Sequence, residues 1–396
     1  VVGELSLDGT IREVTGMFAF EMCAREAGYA LLCPSNATNV LEIEGVDLYG
    51  VACLSDFKTG IFETPRCVDE IRPNVKDYRD VGGHDLAKRA FQIAAAGGHG
   101  LMMMGPPGSG KTMLAERLPS ILTPLNEQER LETARIYSAS GEDLRSIVAG
   151  IRPFRHPHHS ISSAGLLGGG SPVRPGEGSL AHNGVLFLDE ISQFTRSTLQ
   201  GLRQPMEDGR ITIVRAEGAF LMPARFMLVA ASNPCPCGYL GDPEIPCRCS
   251  QSEVLSYQGR IGGPLLDRID LQIDVWRSPF DRVVHAGSDL SSAVLLDGVM
   301  KGREFRSWRL AQQADAPRAS MKRATPDLLK RNEVDAQAEE FLRAAATARS
   351  LSGRSIVRTV GVARTIADMD ESATVKQEHM AEAFSFRLRE ASHDTR

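Results

Sequence analysis

The sequence contains no run of apolar residues near the roughly 20 that a helix needs to cross a bilayer, which excludes a membrane-spanning reading. Its opening, Val1-Val2-Gly3-Glu4-Leu5-Ser6-Leu7-Asp8-Gly9, has neither an initiator Met nor the charged and apolar blocks of a signal peptide. A cytoplasmic protein is therefore expected, with further sequence ahead of Val1. There is no excess of positive charge: 45 Lys and Arg against 50 Asp and Glu give a formal net charge of -5, so any nucleic-acid surface must be a local patch. Internal repeats and long low-complexity tracts are also missing. What is present is ordinary for a globular chain, 42% hydrophobic and 24% charged residues, and 396 residues exceed what one compact core holds, so two or three domains are expected. The cysteines do not form a secretory framework. Cys23, Cys33, Cys53 and Cys67 are scattered, whereas Cys235, Cys237, Cys247 and Cys249 are clustered, a grouping that points to metal rather than disulfides.

Pattern divides the chain into regions. Residues 1–60 alternate apolar and polar positions, then give a helical stretch from Met17 to Ala27 ended by Gly28 and a strand from Tyr29 to Cys33, an α+β fragment. Residues 61–80, with Pro65, Pro73 and mixed charge, read as a linker. Over 81–279, strand-like runs (Gly100–Met104, Val185–Leu188, Phe226–Ala231) alternate with helical patterns, predicting an α/β layer with a largely parallel sheet. Residues 280–396 are rich in Ala, Leu, Arg and Glu, and Ile356, Val360, Ala363 and Ala367 recur at helical spacing, so this region is expected to be all-helical.

Gly105-Pro106-Pro107-Gly108-Ser109-Gly110-Lys111-Thr112 fits G-x-x-x-x-G-K-[ST], with an apolar strand leading in and a helix from Met113 leading out. Glycines let backbone N–H groups turn toward phosphate oxygens, and the helix start adds partial positive charge. Lys111 is expected to reach the β- and γ-phosphates of ATP, and the Thr112 hydroxyl to ligate Mg²⁺. Val185-Leu186-Phe187-Leu188 then runs into Asp189 and Glu190. A buried parallel strand ending in two acids puts both carboxylates at the sheet's carboxyl edge, where Asp189 would hold the Mg²⁺ shell and Glu190 would polarise the attacking water. A third strand ends at Ser232-Asn233. The Asn233 amide can orient water near the γ-phosphate, although Asn after a strand is also a common turn residue. The Cys-x-Cys, nine-residue, Cys-x-Cys array supplies four thiolates, enough for tetrahedral Zn²⁺; redox-labile thiols and a packed turn without metal are the competing readings.

Longer strings carry a family resemblance. Ala181 to Glu190, Asn233-Pro234-Cys235-Pro236-Cys237-Gly238, Gly263-Pro264-Leu265-Leu266-Asp267-Arg268-Ile269-Asp270-Leu271, Phe154 to Ser160 and Val362 to Asp368 together resemble the ComM/YifB family of magnesium-chelatase-like AAA+ proteins, over nearly the whole chain. The resemblance implies an α/β fold, an AAA+ P-loop core with an all-helical C-terminal lid, working as a hexameric ring that moves on single-stranded and branched DNA and promotes branch migration. It implies that Arg268 is an arginine finger reaching a neighbour's ATP and Arg354 a sensor-2 arginine; a salt-bridged surface Arg is the plainer reading of each. Residues 1–33 are similar to the later half of a Lon-type protease domain. Lon proteases have lysines just after the glycine matching Gly16, whereas this chain has Met17-Phe18-Ala19-Phe20, so a non-proteolytic structural or docking fragment is expected.

An acidic ring needs local cations to hold DNA phosphates. Arg152, Arg155, His156, His158 and His159 open a Gly- and Ser-rich insertion, and Ile211–Arg225, with Arg215, a turn at Glu217-Gly218 and Arg225, reads as a hairpin. Both are expected to line the pore. A metal site at the three histidines is opposed by the two arginines and the lack of a nearby Cys or acid; a solvated loop is the plain alternative. Further cations at Lys301, Arg303, Arg306, Arg309, Lys322, Arg323, Lys330 and Arg331 read as a solvated face. Two rival functions stand beside the DNA motor: the ATPase subunit of a magnesium chelatase acting on a protein partner, and a nucleotide-gated scaffold, which intact Asp189 and Glu190 oppose.

Overall fold

A computed structural model describes residues 1–60, 62–71, 76–216, 218–284, 290–312 and 328–387. Pro73, Glu217, Lys322 and Arg323 lie outside the described residues. The helix expected near the amino terminus forms as α1, Met17–Ala27, and stops at Gly28, whose N–H returns to the carbonyls of Ala24 and Arg25. It is followed by β1, Leu31–Pro34, paired in parallel with β2, Leu48–Val51. Residues expected to be a linker run against this unit: Glu63 exchanges both backbone bonds with Gly50, and the Val68 N–H donates to the Val40 carbonyl.

The central layer contains α2 (Asp85–Gly97), β3 (Leu101–Met104), α3 (Lys111–Glu116), α4 (Glu127–Ser140), β4 (Phe154–Arg155), β5 (Val185–Leu188), α5 (Arg203–Asp208), the hairpin β6 (Arg210–Arg215) and β7 (Gly218–Pro223), β8 (Met227–Ser232), α6 (Gln251–Gln258) and β9 (Leu271–Asp274). Five of these strands form one sheet in the order β9-β3-β8-β5-β4, and every pairing is parallel. All residues of β3, β5 and β8 are buried, as in a parallel sheet covered on both faces. Alternate side chains divide between the layers. Met103, Phe187 and Val229 join the core under α2, and Met102, Leu186 and Leu228 join a second one with Ile191, Leu199 and Leu265.

The carboxy-terminal region is helical: α7 (Ser292–Gln312), α8 (Ala336–Ala348), α9 (Gly353–Met369) and α10 (Gln377–Ser385). Val360, Ala363 and Ala367 of α9 share one apolar cluster with Phe91 and Ile93 of α2, so these helices are packed onto the sheet layer. Within the Val362–Asp368 string the polar residues brace that packing. Asp368 receives two 2.9 Å bonds from Arg309 of α7, and buried Arg364 donates to the Ala373 carbonyl at 2.9 Å. The amino-terminal unit docks on α4: Phe18 and Leu41 pack with Ala134, Ile136 and Tyr137, and the Phe18 N–H donates to Ser138 Oγ at 3.0 Å. Met17 and Phe18, where a Lon-type site would carry lysine, are both fully buried. Among the described residues no helix is long and apolar enough to cross a membrane.

Candidate nucleotide-binding site

The phosphate-loop sequence leaves the carboxyl end of β3 between β8 and β9. Gly105 is required there by close approach: a Cβ on it would lie 2.0 Å from the Val275 carbonyl oxygen. The loop, with Met113, Asp189, Glu190, Ser232 and Asn233, lines a cleft of about 390 Å³. Lys111 is nearly buried, its ammonium donating to the carbonyls of Gly105 (2.8 Å) and Pro106 (2.9 Å) and, at 3.3 Å, to Asn233 Oδ1. Burial pushes the Lys111 ammonium below its usual value, and the charges of Asp189 and Glu190 oppose that shift. Thr112 Oγ1 donates to Asp189 Oδ2 at 2.7 Å, so the two oxygens expected to share Mg²⁺ already lie side by side. Glu190 takes a left-handed backbone (φ 49), uncommon for a residue with a side chain, and its N–H closes on Asp189 Oδ1 at 2.9 Å. This tight turn brings the two adjacent carboxylates to one cleft. Lys111, Thr112, Asp189, Glu190 and Asn233 are thus gathered as the sequence implies.

Arg268 and Arg354 lie elsewhere. Arg268 precedes β9 and Arg354 is in the first turn of α9. Both are drawn to Glu207 of α5, Arg268 at 2.5 Å and Arg354 at 3.4 Å. Glu207 shares a separate cleft with Gly184, Phe226 and Met227, the lead-ins to β5 and β8. It therefore sits at the amino edge of the sheet, about 13 Å of strand away from the phosphate loop. Nothing in the sequence singles out Glu207, one of two acids on a short helix.

The four clustered cysteines converge. Their sulfurs all lie within 4.8 Å of one another, with Cys235–Cys237 at 3.4 Å and Cys247 at 3.6 Å from both. A tetrahedral Zn²⁺ with bonds of about 2.3 Å sets sulfur–sulfur edges near ~3.8 Å, close to this spacing. The N–H groups of Arg248 and Tyr239 hold the Cys237 thiol down to about 6, whereas, against the N–H bond each accepts, burial and the neighbouring sulfurs push Cys247 and Cys249 up.

Two of the arginines expected to line a pore are not available for it. Arg152 donates to Glu129 at 2.8 Å and to the Thr123 and Asn183 carbonyls at 2.6 and 2.7 Å. Arg155 forks onto Glu177 at 2.6 and 2.9 Å and reaches Glu142 at 3.1 Å. The reason is topological: α4, the turn after it that holds Glu142 and the short helix that opens at Glu177 lie beside this segment, so its cations are paired within the chain. Arg225 is paired too, with Glu132 at 2.6 Å. The expected hairpin forms over Arg210–Pro223 and leaves Arg215 exposed, together with Val214 and Leu221. His159 lies beside the nucleotide cleft instead, its Nδ1 3.9 Å from Glu190 Oε2.

Comparison with known proteins agrees with this geometry. The family model described as magnesium chelatase, subunit ChlI, matches residues 77–283, and that for the ChlI C-terminal region matches residues 289–387. The uncharacterized protein YifB of Escherichia coli (strain K12) is 38% identical over 399 residues, covering 98% of this chain and 76% of that protein. Competence protein ComM of Haemophilus influenzae is 39% identical over 400 residues, covering 98% and 77%. The magnesium-chelatase 67 kDa subunit of Chlorobaculum parvum is 30% identical over 163 residues, 40% of this chain.

Proposed function

This chain belongs to the ComM/YifB family of magnesium-chelatase-like AAA+ ATPases, and on that premise we propose that it is a cytoplasmic, ATP-driven hexameric ring that moves on single-stranded and branched DNA and promotes branch migration. The observation that carries the ring is the separation of the two halves of the chemistry. Lys111, Glu190 and Asn233 are at the carboxyl edge of the sheet, whereas Arg268 and Arg354 are on Glu207 at the amino edge. In one chain those arginines lie at the edge opposite the phosphate loop, which supports a reading in which a neighbouring subunit presents them. Backbone N–H groups of Gly108–Thr112 and the Lys111 ammonium cradle the phosphates. Glu190 takes the proton of the attacking water, Asn233 orients it, and the neighbour's arginines meet the charge developing on the γ-phosphate. Thr112 and Asp189 would hold Mg²⁺, which neutralises phosphate charge when bound. Cys235, Cys237, Cys247 and Cys249 would hold a structural Zn²⁺.

The competence role in the name of the Haemophilus influenzae relative supports the DNA substrate, and the near-complete match to it outweighs the 163-residue match to a chelatase subunit. The amino-terminal unit serves as a non-proteolytic docking module on α4. Measuring ATPase rate with and without forked or four-way DNA tests the reading. Stimulation by branched DNA is expected, and a ring with no DNA affinity at low salt with ATP present would move the reading to a chelatase-type ATPase acting on a protein partner.

A further inference from the structure

The cysteine cluster is connected to the nucleotide cleft on three sides. Its first residue, Cys235, follows Asn233 across a single proline, and Asn233 Oδ1 touches the Lys111 ammonium at 3.3 Å. Between the two cysteine pairs, Gly238 leans on the outer wall of the phosphate loop so closely that a Cβ there, on a left-handed backbone, would lie 2.5 Å from Pro107 Cδ. Directly after Cys249, Ser250 caps α6 in a capping box with Glu253. That helix sends two side chains back: Gln258 Nε2 donates to the Pro234 carbonyl at 2.9 Å, and the Tyr257 hydroxyl accepts from Ser192 at 2.5 Å, in the turn just past Glu190. The loop thus abuts the water-orienting amide and the phosphate loop, and it is joined through α6 to the turn that carries the catalytic carboxylate.

Inside the loop, the Cys237 N–H donates to Cys249 Sγ and the Cys249 N–H to Cys247 Sγ, both at 3.4 Å. Few apolar contacts are available to hold such a segment: Cys235 is buried, but the other three cysteines are only partly so. Sulfurs this close repel as thiolates unless a cation sits among them. The geometry of the loop therefore depends on what its sulfurs bind.

We propose that a divalent, thiophilic metal ion on Cys235, Cys237, Cys247 and Cys249 is a positioning element of the hydrolysis site, fixing Asn233 and the Glu190 turn, so that metal loss slows turnover far more than it weakens nucleotide binding. The inference rests on reading the cluster as a tetrathiolate metal site. Binding is spared because the phosphates are held by the Gly108–Thr112 backbone and Lys111, none of which belongs to the loop. Turnover suffers because a water-orienting amide displaced by about 1 Å costs on the order of 100-fold.

The test uses the full chain. Wild type should carry about one zinc per chain by elemental analysis. The Cys247→Ser/Cys249→Ser variant should lose it, hold a fluorescent ATP analogue within about threefold of wild type and hydrolyse ATP about 10- to 100-fold more slowly. Cys249→His, which keeps a ligand, should recover zinc and most of the turnover. Tyr257→Phe keeps all four thiols, so it should retain zinc while slowing turnover and sparing analogue binding. A folded, zinc-free double variant that turns over at the wild-type rate overturns the positioning role and leaves the metal reading standing. Wild-type protein with four reduced thiols and no zinc overturns the metal reading itself. Should the double variant fail to fold, Gly238→Ala and Tyr257→Phe decide, and unchanged turnover in both overturns the proposal.

Discussion

Arg268 donates to Glu207 across 2.5 Å, at the edge of the sheet opposite its own phosphate loop, and is only 8% exposed. It is held with its second bond on the Pro264 carbonyl, aimed away from the nucleotide its own chain would bind, so reaching a neighbour's ATP requires it to release Glu207. Arg268→Ala should therefore bind ATP as wild type does and hydrolyse it at least about 100-fold more slowly. Mixed with Lys111→Ala protein, it should recover part of the activity at junctions that pair an intact cleft with an intact arginine. Absence of recovery in rings demonstrated to be mixed would count against action in trans.

Lys111 and Glu190 line one cleft but serve different steps. Lys111→Ala should lose nucleotide binding, because the ammonium that meets the β- and γ-phosphates is gone. Glu190→Gln should hold ATP and turn it over about 100-fold or more slowly, since the amide cannot take a proton from water. Equilibrium binding and steady-state ATPase measurements separate the two, and a Glu190→Gln protein with wild-type turnover would remove Glu190 from the chemistry.

The four arginines expected from sequence to hold DNA, Arg152, Arg155, Arg215 and Arg225, divide in the structure. Arg215, exposed on the hairpin, should when changed to Ala weaken DNA binding at all sequences alike and reduce the salt slope by about 1, with ATP affinity unchanged. Arg152→Ala and Arg155→Ala each remove a cation held by half-buried carboxylates, Glu129 for Arg152 and Glu177 with Glu142 for Arg155, and should cost about 1 to 2 kcal/mol of stability. Urea melts and DNA titrations over a salt series check both. Equal loss of DNA affinity with no loss of stability on changing Arg152, Arg155 and Arg215 would instead put all three on the DNA.

Glu21, on the buried face of α1, gives the amino-terminal unit a pH dependence. Burial pushes its carboxyl up to about 7, against the opposing hydrogen bond from the Leu41 N–H. The folded state holds this proton more tightly than the unfolded chain, so the group's stabilising contribution is complete below pH 4.5 and is lost as pH rises through 7. Glu21→Gln should flatten that dependence and raise stability at pH 8 by up to about 3 kcal/mol. Urea melts at pH 5 and pH 8 measure it; a difference between variant and wild type that is the same at both pH values would reject the assignment.

Much of this molecule is local in origin and so readable from the chain. The phosphate loop needs its glycines and lysine in one continuous run, and Val185–Glu190 must be apolar to lie inside a parallel sheet and acidic where it emerges. The four cysteines are close in sequence because a short loop brings their sulfurs together. Helix α9 announces itself by the spacing of Val360, Ala363 and Ala367, which a buried helical face imposes. Pairing between distant segments is what the tertiary structure decided. Arg152 and Arg155 look like free cations in a glycine-rich stretch, but Glu129 on α4, Glu142 just after it and Glu177 further on reach them only in the folded chain. Glu207 has no sequence signature, because its role arises from two arginines delivered by β9's lead-in and α9. The link from the cysteine loop to Pro107 and Ser192 likewise exists only in three dimensions. Charge and apolar pattern set what each segment can become; which carboxylate meets which cation depends on packing, because that contact is bought by the burial of other residues.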